Sequence, residues 1–378
     1  MIYLDNSATT SYKPPCVINA AVSCMEHISA NAGRSGHRKS LSAAMLVYRT
    51  RQKLARYVGL EGGNVVFTGS CSEALNLAIL GLSGHGGHVI TTVYEHNSVL
   101  RPLHELKRMG RITLSIATPD ESGKISFESI RRHIRPDTFL VAASAVSNVT
   151  GFGADIEEIA RSLRGGKIRL LVDGAQSVGY VDTDMTRMGI DYLSVAPHKG
   201  LHGIQGVGAL CIAPDAPLPR PIKFGGTGTQ SLSLLQPEDP PECYESGTLP
   251  LVAIAALNRA IDFCEKNKEE HREKLRTLTR ILGERIRQID GVRLISGDND
   301  SGIVAFVPEK ISSEDVCDRL DLQYDIAARG GLHCAPLVHK YLGSVSSGAV
   351  RMSLGCDNTE EEILRAASAV KEIVSAYR

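Results

Sequence analysis

The chain contains 378 residues, a length that predicts two domains at about 100–200 residues each. Lys and Arg total 42 and Asp and Glu total 42, so the formal net charge is zero, which argues against nucleic acid or an anionic membrane as the main partner. Hydrophobic residues make up 43% of the chain and charged residues 22%, and this ordinary balance excludes a disordered or fibrous protein.

Neither a membrane span nor a secretory signal is predicted. No apolar run reaches the ~18 residues of a transmembrane helix, and the N-terminus lacks a basic region followed by an apolar run. The nine cysteines are odd in number and include no CxxC pair, so we predict no disulfide framework, no zinc ribbon and no metal site. Reduced thiols of this kind are typical of a cytoplasmic enzyme, with most of them buried and one reactive.

Short apolar runs alternate with helical patterns between residues 60 and 215. The apolar runs predict strands at 64–68, 88–92, 139–143, 169–173 and 192–195, and the helical patterns occupy 72–82 and 156–163. Buried strands that alternate with helices predict an α/β fold, with a mostly parallel sheet that is covered on both faces.

The composition changes at residue 217. Residues 217–250 are rich in Pro, Gly and Ser without sustained periodicity, which is typical of a functional or interfacial loop. The rest of the chain predicts a long helix at 252–288, strands at 292–295, 303–307 and 350–354, and a last helix that opens with a capping box at Thr359. Residues from about 255 onward therefore predict a smaller α+β domain.

Two of the predicted strands carry an acidic and a basic side chain at or just after their carboxyl ends. Asp173 ends one strand and Lys199 follows another, and the carboxyl ends of parallel strands lie at the edge of a sheet where ligands bind. A Lys can bind an aldehyde covalently, and an Asp can keep a pyridine nitrogen protonated, as pyridoxal phosphate (PLP) chemistry requires. A surface Lys and a helix-capping Asp are the alternative, but the added presence of Gln176 and His198 favours the cofactor site.

Two further segments follow strands of the same series. Residues 68–73 place small side chains at a helix N-terminus, where backbone N–H groups suit a phosphate and Ser72 adds a hydroxyl. The alternative is a routine N-cap serine. His96 follows the strand at 88–92, where it can stack on a planar cofactor and transfer protons, although a lone His is more often structural.

The fourth group of candidate residues lies near the C-terminus. Gly330, Gly331 and Pro336 bracket Cys334 in a predicted loop, where an exposed thiol can act as a nucleophile through its thiolate. Arg351 can pair bidentately with a substrate carboxylate. A buried Cys and a surface Arg ion pair are the alternatives.

Together these residues resemble the class V, fold-type I PLP-dependent enzymes, and within them the cysteine desulfurases and selenocysteine lyases. The resemblance covers nearly the whole chain: it begins at 3–10, YLDNSATT, close to the family's YLDNAATT, and continues through 31–37, 148–151, 173–176 and the segments around Cys334 and Arg351. The short loop around Cys334 is similar to the group II pattern R-x-G-x-H-C. Two departures are Cys71-Ser72, where the family has Thr-Thr, and Ala196-Pro197 before His198, where it has Ser-Gly.

The resemblance implies a fold-type I transferase fold with a mostly parallel, seven-stranded-type sheet. It implies a large PLP-binding domain at 16–254, a small α+β domain at 255–378 that carries the Cys334 loop, and an N-terminal segment at 1–15 that packs with the small domain.

The resemblance also implies a role for each candidate residue. Lys199 would hold PLP, Asp173 would pair with the pyridine nitrogen, and His96 would stack on the ring as a catalytic group. The other cofactor contacts would be Gln176 and Asn148 beside the phenolic oxygen or the substrate, and Ser72, the backbone of Cys71 and His198 at the phosphate. Arg351, aided by Asn148, would bind the substrate carboxylate, and Cys334 would attack the substrate sulfur.

The implied reaction converts L-cysteine to L-alanine, forms a persulfide on Cys334 and passes the sulfur to an acceptor thiol or protein. The alternatives are a selenocysteine lyase acting on L-selenocysteine, a class V aminotransferase, and a non-catalytic scaffold that binds a sulfur carrier. Residues 225–229 resemble a loop that reaches the PLP phosphate of a neighbouring subunit, which implies a homodimer with Thr227 and Thr229 as weaker cofactor-binding candidates.

Overall fold

The computed structural model of the protein describes residues 1–33 and 35–377. Arg34, which belongs to the segment at 31–37 that carries part of the family resemblance, lies outside the described residues. Within the two described ranges, no helix combines the length and the apolar content that a bilayer crossing needs.

The described residues alternate between strands and helices over most of their length. In chain order the strands are β1 (Ile2–Tyr3), β2 (Asn64–Thr68), β3 (His88–Thr92), β4 (Thr113–Ala117), β5 (Thr138–Ser144), β6 (Arg169–Asp173), β7 (Tyr192–Val195), β8 (Gly208–Ile212), β9 (Val292–Leu294), β10 (Ile303–Pro308), β11 (Ile326–Ala327) and β12 (Val350–Ser353). The α-helices are α1 (Pro15–Ser23), α2 (Arg38–Tyr57), α3 (Cys71–Leu82), α4 (Asn97–Arg108), α5 (Phe127–Arg131), α6 (Ile156–Leu163), α7 (Met185–Met188), α8 (Leu251–Arg287), α9 (Ser313–Tyr324), α10 (Pro336–Leu342) and α11 (Glu360–Ser375).

A seven-stranded sheet forms the centre of the larger part of the molecule. Its strand order is β2-β8-β7-β6-β5-β3-β4, and every neighbouring pair is parallel except the two that involve β8. Every residue of β3, β7 and β8 is buried, as expected for strands that helices cover on both faces. The predicted α/β fold with a mostly parallel sheet is confirmed.

A second, antiparallel sheet has the order β12-β10-β9 and packs with α9 and α11. The N-terminal segment joins this part of the molecule, because β1 pairs in parallel with β11 and Leu4 is buried in the same apolar cluster as Phe306. Helix α8 runs without interruption across the predicted boundary at residue 254. The division into domains at 1–15, 16–254 and 255–378 stays a prediction.

The carboxyl ends of four adjacent strands position the polar side chains of the next section. Asp173 ends β6, and His96, Asn148 and Lys199 lie in the segments that follow β3, β5 and β7. Since these four strands are neighbours in the parallel part of the sheet, the segments meet at one edge, where open α/β sheets bind ligands.

Candidate active site

A cavity of about 110 Å³ lies at this edge of the sheet. Eight of the residues that the sequence singles out line it, namely Cys71, Ser72, His96, Asn148, Asp173, Gln176, His198 and Lys199. A larger cleft of about 650 Å³ is lined by α8, residues 298–301 and, on its other side, segments that include 151–157 and 181–183, but it contains none of these side chains. The convergence of chemically active groups, and not the size of the opening, therefore identifies the candidate site.

Asp173 is held by three donors. Its Oδ1 accepts hydrogen bonds from the backbone N–H of Ala175 at 3.0 Å and from the Ser194 hydroxyl at 3.2 Å, and the Cys71 thiol lies 3.9 Å away. The side chain is 6% exposed. These contacts fix the orientation of the carboxylate, which is the type of group that pairs with the pyridine nitrogen of PLP.

Lys199 lies in a tight turn next to Asp173. Its N–H donates to the carbonyl of Ala196 at 3.1 Å, and its own carbonyl accepts from the N–H of His202 at 2.8 Å. Burial lowers the pKa of Lys199, while Cys71 and Asp173 act in the opposite direction. A Lys with a lowered pKa supplies the neutral amine that attacks an aldehyde or accepts a proton.

His96 caps the N-terminus of α4. Its Nδ1 accepts a hydrogen bond from the backbone N–H of Ser98 at 3.0 Å. Burial lowers the pKa of His96, with Asp173 acting in the opposite direction and Lys199 adding to the decrease. The ring is therefore neutral at pH 7 and carries its proton on Nε2, because Nδ1 serves as an acceptor.

The N-terminus of α3 supplies the candidate phosphate site. Ser70 caps the helix by accepting from the N–H of Glu73 at 3.2 Å, and the Ser72 hydroxyl lies 2.6 Å from the Ser98 hydroxyl. Gly208 of β8 packs under this turn, since a Cβ there would overlap the carbonyl carbon of Ser70. Unpaired N–H groups at the start of a helix and adjacent hydroxyls suit an anion.

His198 ties the cavity to the N-terminal segment. Its Nδ1 lies 3.1 Å from the Thr9 hydroxyl, and its carbonyl accepts from the Lys13 ammonium at 3.3 Å. Burial, with the neighbouring Lys199 and Lys13, lowers the pKa of His198 to about 4. His198 is therefore a neutral hydrogen-bonding group at pH 7.

Two buried oxygens at the cavity have no hydrogen-bond partner among the described residues. They are Oε1 of Gln176 and Oδ1 of Asn148. The amide nitrogens of the same side chains are satisfied, by the Ser7 carbonyl at 2.9 Å and the His333 carbonyl at 2.7 Å. Leaving a buried polar atom unpaired costs about 1–3 kcal/mol, so a bound polar group would complete both side chains.

The group that these residues fit is PLP. The cavity offers an amine for its aldehyde, a carboxylate for its pyridine nitrogen, an imidazole beside the ring and a helix N-terminus for its phosphate. The two unsatisfied amide oxygens can each accept a hydrogen bond from a bound group.

Arg351 of β12 is buried, with 1% of the residue exposed. Its Nη2 donates to Oδ1 of Asp5 at 2.6 Å and its Nη1 to the carbonyl of Asn148 at 2.9 Å, while Nε has no partner among the described residues. The guanidinium thus lies next to the cavity residue Asn148 with its Nε–H unpaired among the described residues.

Cys334 is exposed and lies in the loop between β11 and α10. Its carbonyl accepts from the N–H of Asn97 at 2.7 Å, which places the loop against the start of α4 beside the cavity residue His96. His333 and Cys334 both have positive φ, at 50° and 56°. Consecutive non-glycine residues in this region are uncommon and mark a loop whose conformation its surroundings fix.

Thr227 and Thr229 are not part of this cavity. Their hydroxyls lie 3.1 Å from each other, and together with Tyr48 and Arg51 they line a different depression. Within one chain, the structure does not bring them to Lys199.

Several polar side chains that support the site were not predicted. Asp5 pairs with Arg351, Ser194 holds Asp173, Ser98 binds both His96 and Ser72, and Thr9 contacts His198. Asp5 and Thr9 lie within the matched N-terminal motif, which was the available signal. Ser98 and Ser194 are common residue types without a distinctive spacing.

Several known proteins are similar to this chain in sequence and in fold. The aminotransferase class-V family model matches residues 2–365. The chain is 32% identical to a probable cysteine desulfurase of Aeropyrum pernix, over all of this chain and 95% of the relative. It is 31% identical to a probable cysteine desulfurase of Pyrococcus abyssi, again over all of this chain and 95% of the relative. The apo structure of a cysteine desulfurase from Thermococcus onnurineus NA1 matches with a TM-score of 0.92 at 29% identity, covering 99% of this chain and 95% of that one.

The chain belongs to the class-V aminotransferase family, within its cysteine desulfurase branch. Enzymes of this family depend on PLP. The family, the fold and the cofactor that the sequence predicts are confirmed, and the roles of individual site residues stay predictions.

His333, in the Cys334 loop, makes the stability of the folded protein depend on pH. Burial, reinforced by Arg351, lowers the pKa of His333 from 6.5 to about 3. Between these values the unfolded chain binds a proton that the folded protein does not. The free energy of unfolding should therefore fall as the pH falls through this window, by at most ~1.4 kcal/mol per pH unit from this one group.

We predict that His333→Gln loses less stability than the wild type between pH 6.5 and 5, because the variant has no imidazole to protonate on unfolding. Urea denaturation at both pH values measures the difference. His104→Gln, at an exposed position of α4, is the control and should behave like the wild type. Equal losses in the wild type and His333→Gln would contradict the assignment.

Proposed function

We propose that the protein is a PLP-dependent cysteine desulfurase that converts L-cysteine to L-alanine and accepts the sulfur on Cys334. One observation carries the proposal. The carbonyl of Cys334 accepts a hydrogen bond from the N–H of Asn97 at 2.7 Å, and the carbonyl of His333 accepts one from the side-chain amide of Asn148 at 2.7 Å. These two contacts place an exposed thiol at the border of the Lys199 cavity. A class V aminotransferase would have no use for a thiol in this position.

Each side chain of the cavity has a proposed role in holding the cofactor. Lys199 would bind it covalently until a substrate amine takes its place, Asp173 would pair with the pyridine nitrogen, and His96 would stack on the ring. The remaining contacts are Gln176 and Asn148 near the phenolic oxygen, and Ser72, the backbone of Cys71 and His198 at the phosphate. When bound, PLP supplies an electron sink that stabilises negative charge at the substrate Cα.

The chain's own residues orient the substrate and move its proton. Arg351 presents its unpaired Nε–H to the α-carboxylate, beside the open Oδ1 of Asn148. Once the substrate is bound, the freed Nζ of Lys199 removes the Cα proton, because burial lowers the pKa of this amine and so favours the neutral form that can accept a proton.

The sulfur then moves to Cys334. The Cys334 thiolate forms an S–S bond with the substrate sulfur, and the C–S bond breaks with its electron pair left on carbon. Protonation of that carbon yields the methyl group of alanine, so the substrate is reduced and Cys334 is oxidised to a persulfide. An acceptor thiol or an acceptor protein with a reactive thiol collects the outer sulfur atom.

We predict that PLP-loaded protein incubated with L-cysteine, without a reducing thiol, gains one sulfur atom on the peptide that contains Cys334. Cys334→Ala should keep the yellow cofactor but form no persulfide, because the attacking thiolate is gone. Mass spectrometry of the digested protein measures both results.

The control for this experiment is Cys16→Ala, which removes the other exposed thiol and should leave persulfide formation unchanged. Normal persulfide formation in Cys334→Ala, at any other cysteine, would overturn the assignment.

We further propose that the enzyme is a homodimer. The segment at 223–235 carries large apolar side chains in contact with water, with Phe224 70% exposed, Leu232 102% and Leu234 103%. A cluster of this kind on one segment marks an interaction surface. In the dimer, this segment from one subunit would bring Thr227 and Thr229 to the cofactor phosphate of the other.

Light scattering should give twice the 40.7 kDa mass of the chain. Replacing Leu232 and Leu234 together by Ser should shift the mass towards one chain, because the apolar contact is lost. Leu322→Ser, on the outer face of α9 and 83% exposed, is the matched control and should leave the mass unchanged. A wild-type mass of one chain would contradict the dimer.

A further inference from the structure

Three side chains with metal-binding atoms meet outside the PLP cavity. They are His202, His271 and Cys356, whose ligand atoms all lie within 4.8 Å of one another. His202 follows Lys199 by three residues, His271 lies on α8, and Cys356 follows β12. Because the three residues come from segments far apart in the chain, they form no short sequence motif, and the sequence predicts no metal site.

His202 is oriented as a ligand. Its Nδ1 lies 3.1 Å from the carbonyl of Tyr12, which can only accept, so this nitrogen carries the ring proton. Nε2 then offers its lone pair, and it lies 3.6 Å from Sγ of Cys356. In a tetrahedral zinc site the Zn–N bond is ~2.0–2.1 Å long and the Zn–S bond ~2.3 Å, which places the nitrogen and the sulfur about 3.6 Å apart. The His202 and Cys356 ligand atoms therefore already have the spacing of two ligands of one ion.

The fixed hydrogen bond to Tyr12 is the outer contact that metal-bound histidines require. A ligating His usually donates its second ring N–H to a backbone carbonyl or a carboxylate, which sets the tautomer and the ring plane. His202 is 3% exposed, so the bond is shielded from water. Its backbone has a positive φ of 56°, and its N–H donates to the Lys199 carbonyl at 2.8 Å.

The other two ligands, His271 and Cys356, are only partly buried. His271 is half-buried on the surface of α8, where rotation of its side chain can complete the approach. Phe263 packs against the imidazoles of His202 and His271, with ring centroids 5.7 Å and 5.3 Å away, and the two imidazole centroids lie 6.2 Å from each other. Lys274 donates to the carbonyl of Cys356 at 2.7 Å and so fixes the backbone of the third ligand.

We propose that His202, His271 and Cys356 bind a thiophilic divalent cation, with Zn²⁺ as the ion that the ligands fit. Two imidazole nitrogens and one thiolate select zinc-like ions over Mg²⁺ or Ca²⁺, which prefer oxygen. Three protein ligands leave the fourth tetrahedral position to water. On binding, the Cys356 thiol gives up its proton to solvent and its sulfur joins the metal.

Zn²⁺ alone is the probe for the first experiment, with chelator-treated, PLP-loaded protein and no substrate present. We expect one Zn²⁺ per chain in calorimetry. His271→Gln and Cys356→Ser should each weaken binding by at least about tenfold, since loss even of an outer contact costs about 10–100-fold. Two variants serve as controls: Cys334→Ser removes the exposed thiol beside the PLP cavity, and His104→Gln removes an exposed helical His. Both should keep the affinity.

X-ray absorption on the zinc-loaded wild type tests the ligand set without any variant. We expect two imidazole nitrogens at ~2.0–2.1 Å and one sulfur at ~2.3 Å. Absence of binding, a coordination shell without sulfur, or binding that survives in His271→Gln and Cys356→Ser but is lost in Cys334→Ser would overturn the proposal. The last outcome would mean that the exposed Cys334 thiol holds the ion.

Discussion

The buried guanidinium of Arg351 is the constraint on which the arrangement of the site depends. A buried cation costs several kcal/mol unless it is paired and hydrogen-bonded, so whatever surrounds Arg351 must supply acceptors. Asp5 of the N-terminal segment and the carbonyl of Asn148 do so at 2.6 Å and 2.9 Å. One side chain thus holds together three parts of the chain that are distant in sequence: the N-terminus, the loop after β5 and the second sheet.

The same side chain links the thiol loop to the cavity. The backbone of Arg351 pairs with that of Arg329 at the start of the loop, and Asn148, which accepts from Arg351, donates to the carbonyl of His333. Arg351 and Asn148 therefore connect the Cys334 loop to the cavity, in addition to the hydrogen bond that Asn97 donates to the carbonyl of Cys334. The unpaired Nε of Arg351 and Oδ1 of Asn148 are the two groups of this link that remain open to a substrate.

Much of the fold could be predicted because its strands are buried on both faces and read as continuous apolar runs. The strands predicted at 64–68, 88–92, 169–173 and 192–195 coincide with β2, β3, β6 and β7. The sequence predicts no strand at β4 or β8, because β4 is largely not buried and Gly208 and Ala209 weaken the strand signal of β8. The family motifs indicated eight residues that share one cavity, whereas Ser98, Ser194 and the His202 cluster depend on tertiary contacts that no local pattern encodes.

The central claim is that the Lys199 cavity and the Cys334 thiol together remove sulfur from L-cysteine. The most direct test is to measure the alanine and sulfide released from L-cysteine by the purified, PLP-loaded protein with a reducing thiol present. We predict equal amounts of alanine and sulfide, because each turnover breaks one C–S bond and the thiol reduces the persulfide. A yellow, PLP-loaded protein that releases no alanine under these conditions would contradict the claim.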